Sequence, residues 1–209
     1  RQAWIAVGLG VLMMSGLLRA WADEQTPPVS GPQEPLKRVA TLIMQGSYQQ
    51  AVDLCTQLLG TQPKLAQAYT QRGRAYFRLG KSDQGIADAS QAVALDPAQG
   101  RAWHVLALWN RKLASLNFME RTVAKTVLGG VPKGASMENA VADMQKAIEL
   151  EPAYVNHRLE QGRTFMQLKR PSDARRELER ALALTPTGSP LDPKYQAEAR
   201  EMLARLKKN

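Results

Sequence analysis

The sequence predicts an all-α protein built as a solenoid of antiparallel helical hairpins, and two features of its 209 residues carry that prediction. First, Ala66–Pro97 places small and large apolar residues at helical spacing in two halves on either side of Gly80. Small residues let two helices approach closely, and a glycine supplies the positive φ that ends the first helix. Second, prolines return after 34 residues in two places, Pro63–Pro97 and Pro152–Pro186.

The central hairpin, Ala66–Pro97, carries the most specific pattern. Its aromatic, small and closing residues stand at fixed offsets: Tyr69, Gly73, Tyr76, Gly85, Ala89, Ala92 and Pro97. This set resembles the tetratricopeptide repeat (TPR), whose period is about 34 residues. The one departure is Gly85, where the pattern has alanine. A glycine there costs about 1 kcal/mol of helix propensity and is expected to leave the packing intact.

Neighbouring hairpins are needed because one such repeat cannot bury its apolar face alone. The first hairpin is predicted from about Leu36 to Thr61, and the fourth from Val155 to Pro186. Pro193–Lys208 is then predicted to form a helix that caps the open end of the solenoid. The repeat offsets in these two hairpins are held by Val39, Leu42, Gly46, Tyr48, Ala51, Cys55 and Leu58, and by Gly162, Phe165, Ala174, Leu178 and Ala181.

The third hairpin is longer than its neighbours. The prolines that bound it lie 55 residues apart, about 21 more than the repeat period. The additional residues fall between its two helices, at about 113–135, and keep an apolar stripe at helical spacing. Asn117 and Glu120 have the spacing of a capping box, which predicts a new helix after a break near Ser115. A single long helix fits the same stripe.

The N-terminal segment 1–22 has the pattern of a secretory signal peptide. Its uncharged run, Trp4–Leu18, would span about 22 Å as a helix, short of the roughly 30 Å hydrocarbon core of a bilayer. Ala20-Trp21-Ala22 fits a cleavage site. An uncleaved membrane anchor through residues 4–22 is the alternative, and either one predicts a periplasmic or exported location. Residues 23–35, with four prolines, are predicted to be an extended linker before the helical domain 36–209.

Composition and spacing argue against several classes of function. The net charge of +9 is compatible with nucleic acid, but no aromatic platform is interleaved with the basic residues. Cys55 stands alone at a core offset, and His104 and His157 are too few for a metal site. The stretch at 129–136 superficially resembles a phosphate loop, but it is interpreted as a turn in which Ser136 caps the next helix. We therefore predict a non-enzymatic protein with no cofactor, no metal and no nucleic-acid partner.

The first helices of stacked hairpins line the concave face of a solenoid, and their offsets predict a binding groove. Its predicted residues are Thr70, Arg74, Phe77 and Arg78 from the second hairpin, Arg101, His104 and Leu108 from the third, and Leu159, Arg163 and Met166 from the fourth. Such a groove is basic and partly apolar. The alternative interpretation is that these are ordinary solvated arginines whose stems cover apolar surface.

The third hairpin and the residues after it carry a more specific resemblance. Residues 100–183 contain three short motifs in order: an aromatic residue followed by Leu and Trp at helical spacing, the sequence S-L-x-aromatic, and a second helix that ends in E-L-x-P. The residues that carry this pattern are Trp103, Leu106, Trp109, Ser115, Leu116, Phe118, Ala140, Ala147, Ile148, Leu150 and Pro152. This pattern resembles the regulator of microtubule dynamics family. Animal members include a tether between endoplasmic reticulum and mitochondria whose repeat domain is reported to bind and transfer phospholipid. The resemblance therefore implies lipid binding as one possible activity.

Three functions follow as hypotheses from these patterns. The first is a protein-interaction scaffold that holds a peptide or a membrane-complex subunit in the groove. The second, implied by the family resemblance, is a module that binds anionic phospholipid through arginines and apolar side chains. The third, an enzyme, has the least support because the sequence offers no set of nucleophile, base and oxyanion donors.

Overall fold

The computed structural model describes residues 32–117, 120, 135–187 and 189–206. Within that part of the chain there are nine α-helices. In chain order they are α1 Gln33–Met44, α2 Tyr48–Thr61, α3 Ala66–Leu79, α4 Ser82–Leu95, α5 Gly100–Ala114, α6 Met137–Leu150, α7 Val155–Gln167, α8 Pro171–Ala183 and α9 Asp192–Leu206. The predicted signal peptide or anchor, most of the predicted linker and most of the predicted insert lie outside the described residues.

The helices pack as antiparallel hairpins in the order that the repeat predicts. α1 pairs with α2, α3 with α4, α5 with α6 and α7 with α8, and each hairpin packs on the next. α9 lies against α7 and α8 at the end of the stack. The all-α fold of TPR-like hairpins is therefore confirmed. No helix among the described residues is both long enough and apolar enough to cross a bilayer.

Positive-φ residues end three of the first helices. Gly46 and Gly80 have φ of 80° and 73°, and Lys169 has φ of 55° at the turn between α7 and α8. After α3 the amide of Lys81 donates to the carbonyl of Tyr76 at 3.0 Å, so the predicted role of Gly80 is confirmed. A lysine in the left-handed region costs about 1 kcal/mol relative to glycine, which makes Lys169 the least favourable of the three turns.

The start of α1 differs from the prediction. The helix begins at Gln33 and includes Pro35 in its first turn, where an extended linker was expected. Proline is tolerated in a first turn because the amides there have no partner within the helix. The negative charge of Glu34, in the same turn, interacts favourably with the positive end of the helix dipole.

Both ends of the insert have the capping hydrogen bonds that the sequence predicts. α5 ends at Ala114, and beyond it the Asn117 amide donates to Glu120 Oε2 at 2.8 Å while the Glu120 amide donates to Asn117 Oδ1 at 2.9 Å. This reciprocal pair confirms a break near Ser115 in place of one continuous helix. At the other end, Ser136 accepts from the Asn139 amide at 3.0 Å and caps α6 as predicted. The predicted turn at 129–134 lies outside the described residues.

The core is a row of small clusters between neighbouring helices, as expected for a solenoid. At the contact between α4 and α5, Trp109 is 1% exposed and its indole lies directly on Gly85. A Cβ on Gly85 would stand 2.5 Å from Cζ2 of that indole. Phe77 packs edge-on against the same ring, with centroids 4.9 Å apart. The sequence did not indicate why glycine stands at position 85: the Trp109 indole occupies the space that the methyl group of an alanine would fill.

Cys55 is completely buried in the first core cluster. Burial raises the pKa of its thiol to about 12. The thiolate is the reactive form of cysteine, and it is scarce at neutral pH when the pKa is so high. Cys55 therefore acts as a small apolar core residue.

Candidate functional site

A groove on the concave face of the stack has a volume of about 410 Å³. Every first helix contributes to it, as does α9, so it runs from one end of the stack to the other. Its N-terminal half comes from α1–α3 and its C-terminal half from α5, α7 and α9. The lining residues are Ile43, Met44, Tyr48, Arg74, Phe77 and Arg78 in the N-terminal half, and His104, Leu108, Arg111, Asn156, Glu160, Arg163, Leu191, Lys194, Tyr195 and Glu198 in the C-terminal half.

The structure brings six of the ten predicted groove residues together: Arg74, Phe77, Arg78, His104, Leu108 and Arg163. They come from α3, α5 and α7, whose inward faces converge because the hairpins stack with their first helices on the same side. That these residues bind a partner remains a prediction.

The other four predicted residues lie elsewhere. Thr70 is 3% exposed and its hydroxyl hydrogen-bonds the Ala66 carbonyl and the Gln99 side chain, so the start of the third hairpin covers it. Arg101 stacks over the Tyr154 ring, 3.7 Å from its centroid, away from the groove lining.

Leu159 and Met166 are displaced because α7 turns a different stripe inward. Asn156 and Glu160 line the groove together with Arg163, the one residue that this stripe shares with the predicted one. Leu159 is completely buried in the core with α8 and α9. Met166 is half-buried and is not among the lining residues.

Several lining residues were missed at the level of sequence. Arg111 continues the stripe of His104 and Leu108 by one more turn, so helical spacing could have found it. Lys194 and Glu198 lie one turn apart on α9, a helix that was predicted only as a cap. Nothing in the sequence indicated that α9 would close the groove.

The C-terminal half of the groove contains an ion-pair network. Arg111 Nη2 donates to Glu160 Oε2 at 2.6 Å, and Arg111 Nη1 donates to the Glu160 carbonyl at 2.9 Å. Arg163 donates to Glu160 and to Glu198. The two carboxylates of the lining are thus engaged by two arginines, and the side chains of Arg111 and Glu160 are largely buried.

The N-terminal half is different, because its arginines have neutral partners. Arg74 donates to Gln71 Oε1 at 2.8 Å. Arg78 donates to the Tyr48 hydroxyl at 3.1 Å and lies over the same ring. Across the groove, Lys194 is exposed. Among the described residues none of these three cations forms an ion pair.

Two buried imidazoles lie beneath the groove. His104 Nδ1 and His157 Nδ1 are 2.8 Å apart, and only His104 reaches the lining. Burial, and then the positive charges of Arg74, Arg101 and Arg111, hold the pKa of His104 well below 6.5. Burial also lowers the pKa of His157. Both imidazoles are therefore neutral at pH 7, and among the described residues no three metal-ligating side chains are grouped around them or elsewhere.

Comparison with known proteins identifies the family. The model of regulator of microtubule dynamics protein 1-3 matches residues 87–207, more than half of the chain. The chain belongs to this family. A TPR model matches residues 66–99, which contain Arg74, Phe77 and Arg78. The family match thus covers the C-terminal half of the groove, and the general repeat match covers the α3 part of its N-terminal half.

Two relatives illustrate the similarity in sequence. Regulator of microtubule dynamics protein 1 of Caenorhabditis elegans is 26% identical over 113 residues, 54% of this chain and 49% of the relative. The SGT1 homolog of Oryza sativa subsp. japonica is 34% identical over 56 residues, 27% of this chain and 15% of the relative. The chain thus matches about half or less of the length of these relatives.

Two solved structures show the fold. A thermophilic TPR protein of Thermus thermophilus superposes with a TM-score of 0.63 at 23% identity, covering 84% of each chain. The first TPR domain of Spaghetti (RPAP3), bound to the HSP90 peptide SRMEEVD, superposes with a TM-score of 0.50 at 20% identity and covers 68% of this chain and 93% of that one.

Proposed function

We propose that this protein is a non-enzymatic interaction scaffold whose groove receives a carboxylate-bearing segment of a partner protein. The observation that carries the proposal is the set of cations Arg74, Arg78 and Lys194, which line the groove without an ion-pair partner among the described residues. Charge complementarity of this kind gives an interface its specificity and speeds association. Arg111 and Arg163 are already paired, so the partner's carboxylates go to the other three.

The fold supports a protein partner. TPR domains typically mediate protein–protein interactions, and a concave face of stacked helices suits an extended peptide or a helix. The peptide in the similar Spaghetti (RPAP3) structure is acidic. Apolar side chains of the partner would pack on Ile43, Met44 and Phe77. Met44 is 49% exposed, and methionine adapts well to varied partner shapes.

Binding of anionic phospholipid is the second candidate. The pairing of arginines with Phe77 and Leu108 in one groove favours it, as does family membership. Sites for large apolar ligands, however, are lined predominantly by apolar side chains. Here charged and polar side chains predominate in the lining, which favours a peptide over acyl chains.

The experiment compares two matched charge reversals by fluorescence anisotropy, with the labelled peptide Glu-Glu-Leu-Glu-Glu-Leu as the probe. Arg74→Glu should bind this peptide about tenfold or more weakly than the native protein, because it replaces an attraction by a repulsion, and tenfold corresponds to about 1.4 kcal/mol. Arg200→Glu changes the net charge equally at an exposed position outside the groove lining, and it should bind within about twofold of the native protein.

Equal binding by the two variants would contradict the proposed groove. The peptide Gln-Gln-Leu-Gln-Gln-Leu is the control for the carboxylates. Vesicles that contain phosphatidylglycerol test the second candidate: binding to these vesicles without binding to the acidic peptide would replace the first proposal by the lipid module.

We further propose that the scaffold acts outside the cytoplasm, at a membrane complex. The support is the predicted signal peptide or anchor in residues 1–22. Mass spectrometry of the protein expressed with its own leader tests this location. A chain that starts at Asp23, or an intact chain recovered from the membrane fraction, is expected; an intact chain in the cytoplasmic fraction contradicts it.

A further inference from the structure

The His104–His157 pair is an unusual element of the groove floor. The two rings are 5% and 0% exposed, and their Nδ1 atoms are 2.8 Å apart. At that distance one Nδ1 carries a hydrogen and donates it, and the other accepts. In a neutral imidazole only one nitrogen carries a hydrogen, so the donating ring keeps a free lone pair on its Nε2. The pair therefore has one open site for a proton.

Positive charge surrounds this pair in the free protein. Arg74 on α3, and Arg101 and Arg111 on α5, act on His104, and Arg158 on α7 acts on His157. Burial and these cations together keep the pair neutral at pH 7.

The carboxylates near the pair are engaged elsewhere. Glu151 Oε2 lies 3.9 Å from His157 Nε2, but this carboxylate accepts from the Arg101 amide and side chain. Five other carboxylates on the surrounding helices have their own donors: Asp88 of α4 with Arg72, Asp143 of α6 with Asn110, Glu160 of α7 with Arg111 and Arg163, Glu177 of α8 with Arg158, and Glu198 of α9 with Arg163. Burial raises the pKa of the nearby Tyr195, so its phenol is neutral at pH 7.

We propose that the His104–His157 pair takes up one proton when a carboxylate-bearing segment binds in the groove, so that binding becomes tighter as the pH falls from neutral to mildly acidic. This inference rests on the proposed function, since it concerns the same groove and the same class of partner.

The physical reason lies in the position of Arg74. This arginine lines the groove and also acts on His104, so a carboxylate that binds Arg74 cancels part of the positive potential at the pair. The charged imidazole then becomes less unfavourable, because an opposite charge nearby favours the ionised form. The proton comes from solvent and adds to the free Nε2 of the donating ring. The Nδ1–H···Nδ1 hydrogen bond stays in place.

His104 is the ring of the pair that receives this proton, because it lies in the groove lining and is the ring on which Arg74 acts. His104 is then the donor of the pair, and its free Nε2 takes up the proton. His157 carries its hydrogen on Nε2, which is buried, has no hydrogen-bond partner among the described residues and lies 3.9 Å from Glu151 Oε2.

Thermodynamic linkage between peptide binding and proton uptake determines the direction of the pH dependence and its maximum size. If binding of the peptide promotes proton uptake, then a lower pH promotes binding of the peptide to the same extent. One proton changes the affinity by at most about tenfold per pH unit. We expect an affinity for Glu-Glu-Leu-Glu-Glu-Leu about threefold or more higher at pH 6 than at pH 7.5. Protonation of the peptide's own glutamates, with pKa near 4.3, would weaken binding as the pH falls, which is the opposite sign.

The experiment is a pH titration of the histidine ring signals by NMR, with and without saturating Glu-Glu-Leu-Glu-Glu-Leu. The chain has two histidines, His104 and His157, so two Cε1–H signals report the pair directly in the native protein. In the free protein both signals should keep the shift of a neutral ring between about pH 8 and pH 5.5. With peptide bound, at least one should titrate within that interval.

Anisotropy under the same conditions separates the two proposals. If the peptide binds but both ring signals stay constant and the affinity is independent of pH, the proton linkage is wrong and the scaffold function stands. If the peptide does not bind at any pH in this range, the scaffold function fails and the linkage fails with it. The His104→Gln variant adds a check, since its affinity should change less than about twofold between pH 7.5 and pH 6. The NMR titration of the native protein tests the proton linkage even if this variant does not fold.

Discussion

The N-terminal and C-terminal halves of the groove each contain two lining arginines, but the partners of these arginines differ. Arg111 and Arg163 in the C-terminal half are paired with Glu160 and Glu198. Arg74 and Arg78 in the N-terminal half donate to a glutamine and a tyrosine. The first two arginines link α5, α7 and α9, and the other two have no ion-pair partner among the described residues.

The charge that a groove offers to a ligand cannot be counted from its residues alone. Pairing inside the protein neutralises a cation without changing the sequence composition. It also sets the cost of mutation: removal of one partner from a buried pair is costly, whereas an exposed charge contributes little to stability. Substitutions and changes of pH test this contrast.

Glu160→Gln should destabilise the C-terminal half of the groove. The substitution keeps the side-chain volume and removes the charge that holds Arg111 and Arg163, so the free energy of unfolding should fall by about 3 kcal/mol, as for other buried pairs that lose one partner. Urea denaturation measures the change. Glu149→Gln, at an exposed position of α6, is the matched control and should change stability by less than about 0.5 kcal/mol. Equal effects of the two variants would show that the network contributes nothing.

Gly85→Ala should disturb the junction of the two halves, where the Trp109 indole lies on α4. Overpacking of this kind costs about 2 kcal/mol, although helix propensity alone predicts a gain of about 1 kcal/mol from the same change. Gly60→Ala is the matched control: it also lies in a helix, but a Cβ there meets nothing within 4 Å. The melting temperature should therefore fall for Gly85→Ala and rise or stay constant for Gly60→Ala. A rise for both would contradict the contact with Trp109.

The His104–His157 pair should make stability depend on pH in the mildly acidic range. Burial lowers the pKa of both imidazoles in the folded protein, while in the unfolded chain they take up protons near pH 6.5. The unfolded state therefore binds more protons below about pH 6.5, and the free energy of unfolding falls with the pH by up to about 1.4 kcal/mol per unit for each imidazole. Above about pH 7.5 the pair contributes no pH dependence.

Urea denaturation at several pH values measures this slope. The double variant His104→Gln/His157→Gln should lose it below pH 6.5. Ring signals that titrate near pH 6.5 in the free folded protein would contradict the prediction, whether or not the variant folds.

Lys169→Gly should produce the smallest effect, a gain in stability. Gly80 and Lys169 occupy equivalent turns after α3 and α7, but only the lysine carries a Cβ in the left-handed region. Removal of that strain should raise the free energy of unfolding by about 0.5–1 kcal/mol. Gly80→Ala is the reciprocal variant and should lower it by about 1 kcal/mol. A loss of stability in Lys169→Gly would contradict the strain.

Much of the local structure was predictable because its causes lie close together in the sequence. The reciprocal hydrogen bonds of Asn117 and Glu120 need only residues three positions apart, and the turn at Gly80 needs only one left-handed residue. The early start of α1 at Gln33 was not predicted, because the prolines of the linker also fit a helical first turn. The Gly85–Trp109 contact joins residues of different hairpins, and only the stacking of α4 on α5 reveals it.

Helical periodicity with a fixed repeat was enough to predict the class of fold and six residues of the candidate groove, because it puts equivalent positions on one face. The packed structure was needed to show which stripe of α7 faces inward, that α9 closes the groove, and which arginines are paired. Those properties depend on the rotation of each helix about its axis and on partners such as Arg111 and Glu160, which are 49 residues apart in the chain. The spacing of residues within one helix carries no information on helix rotation or on such distant partners, because packing between hairpins determines them.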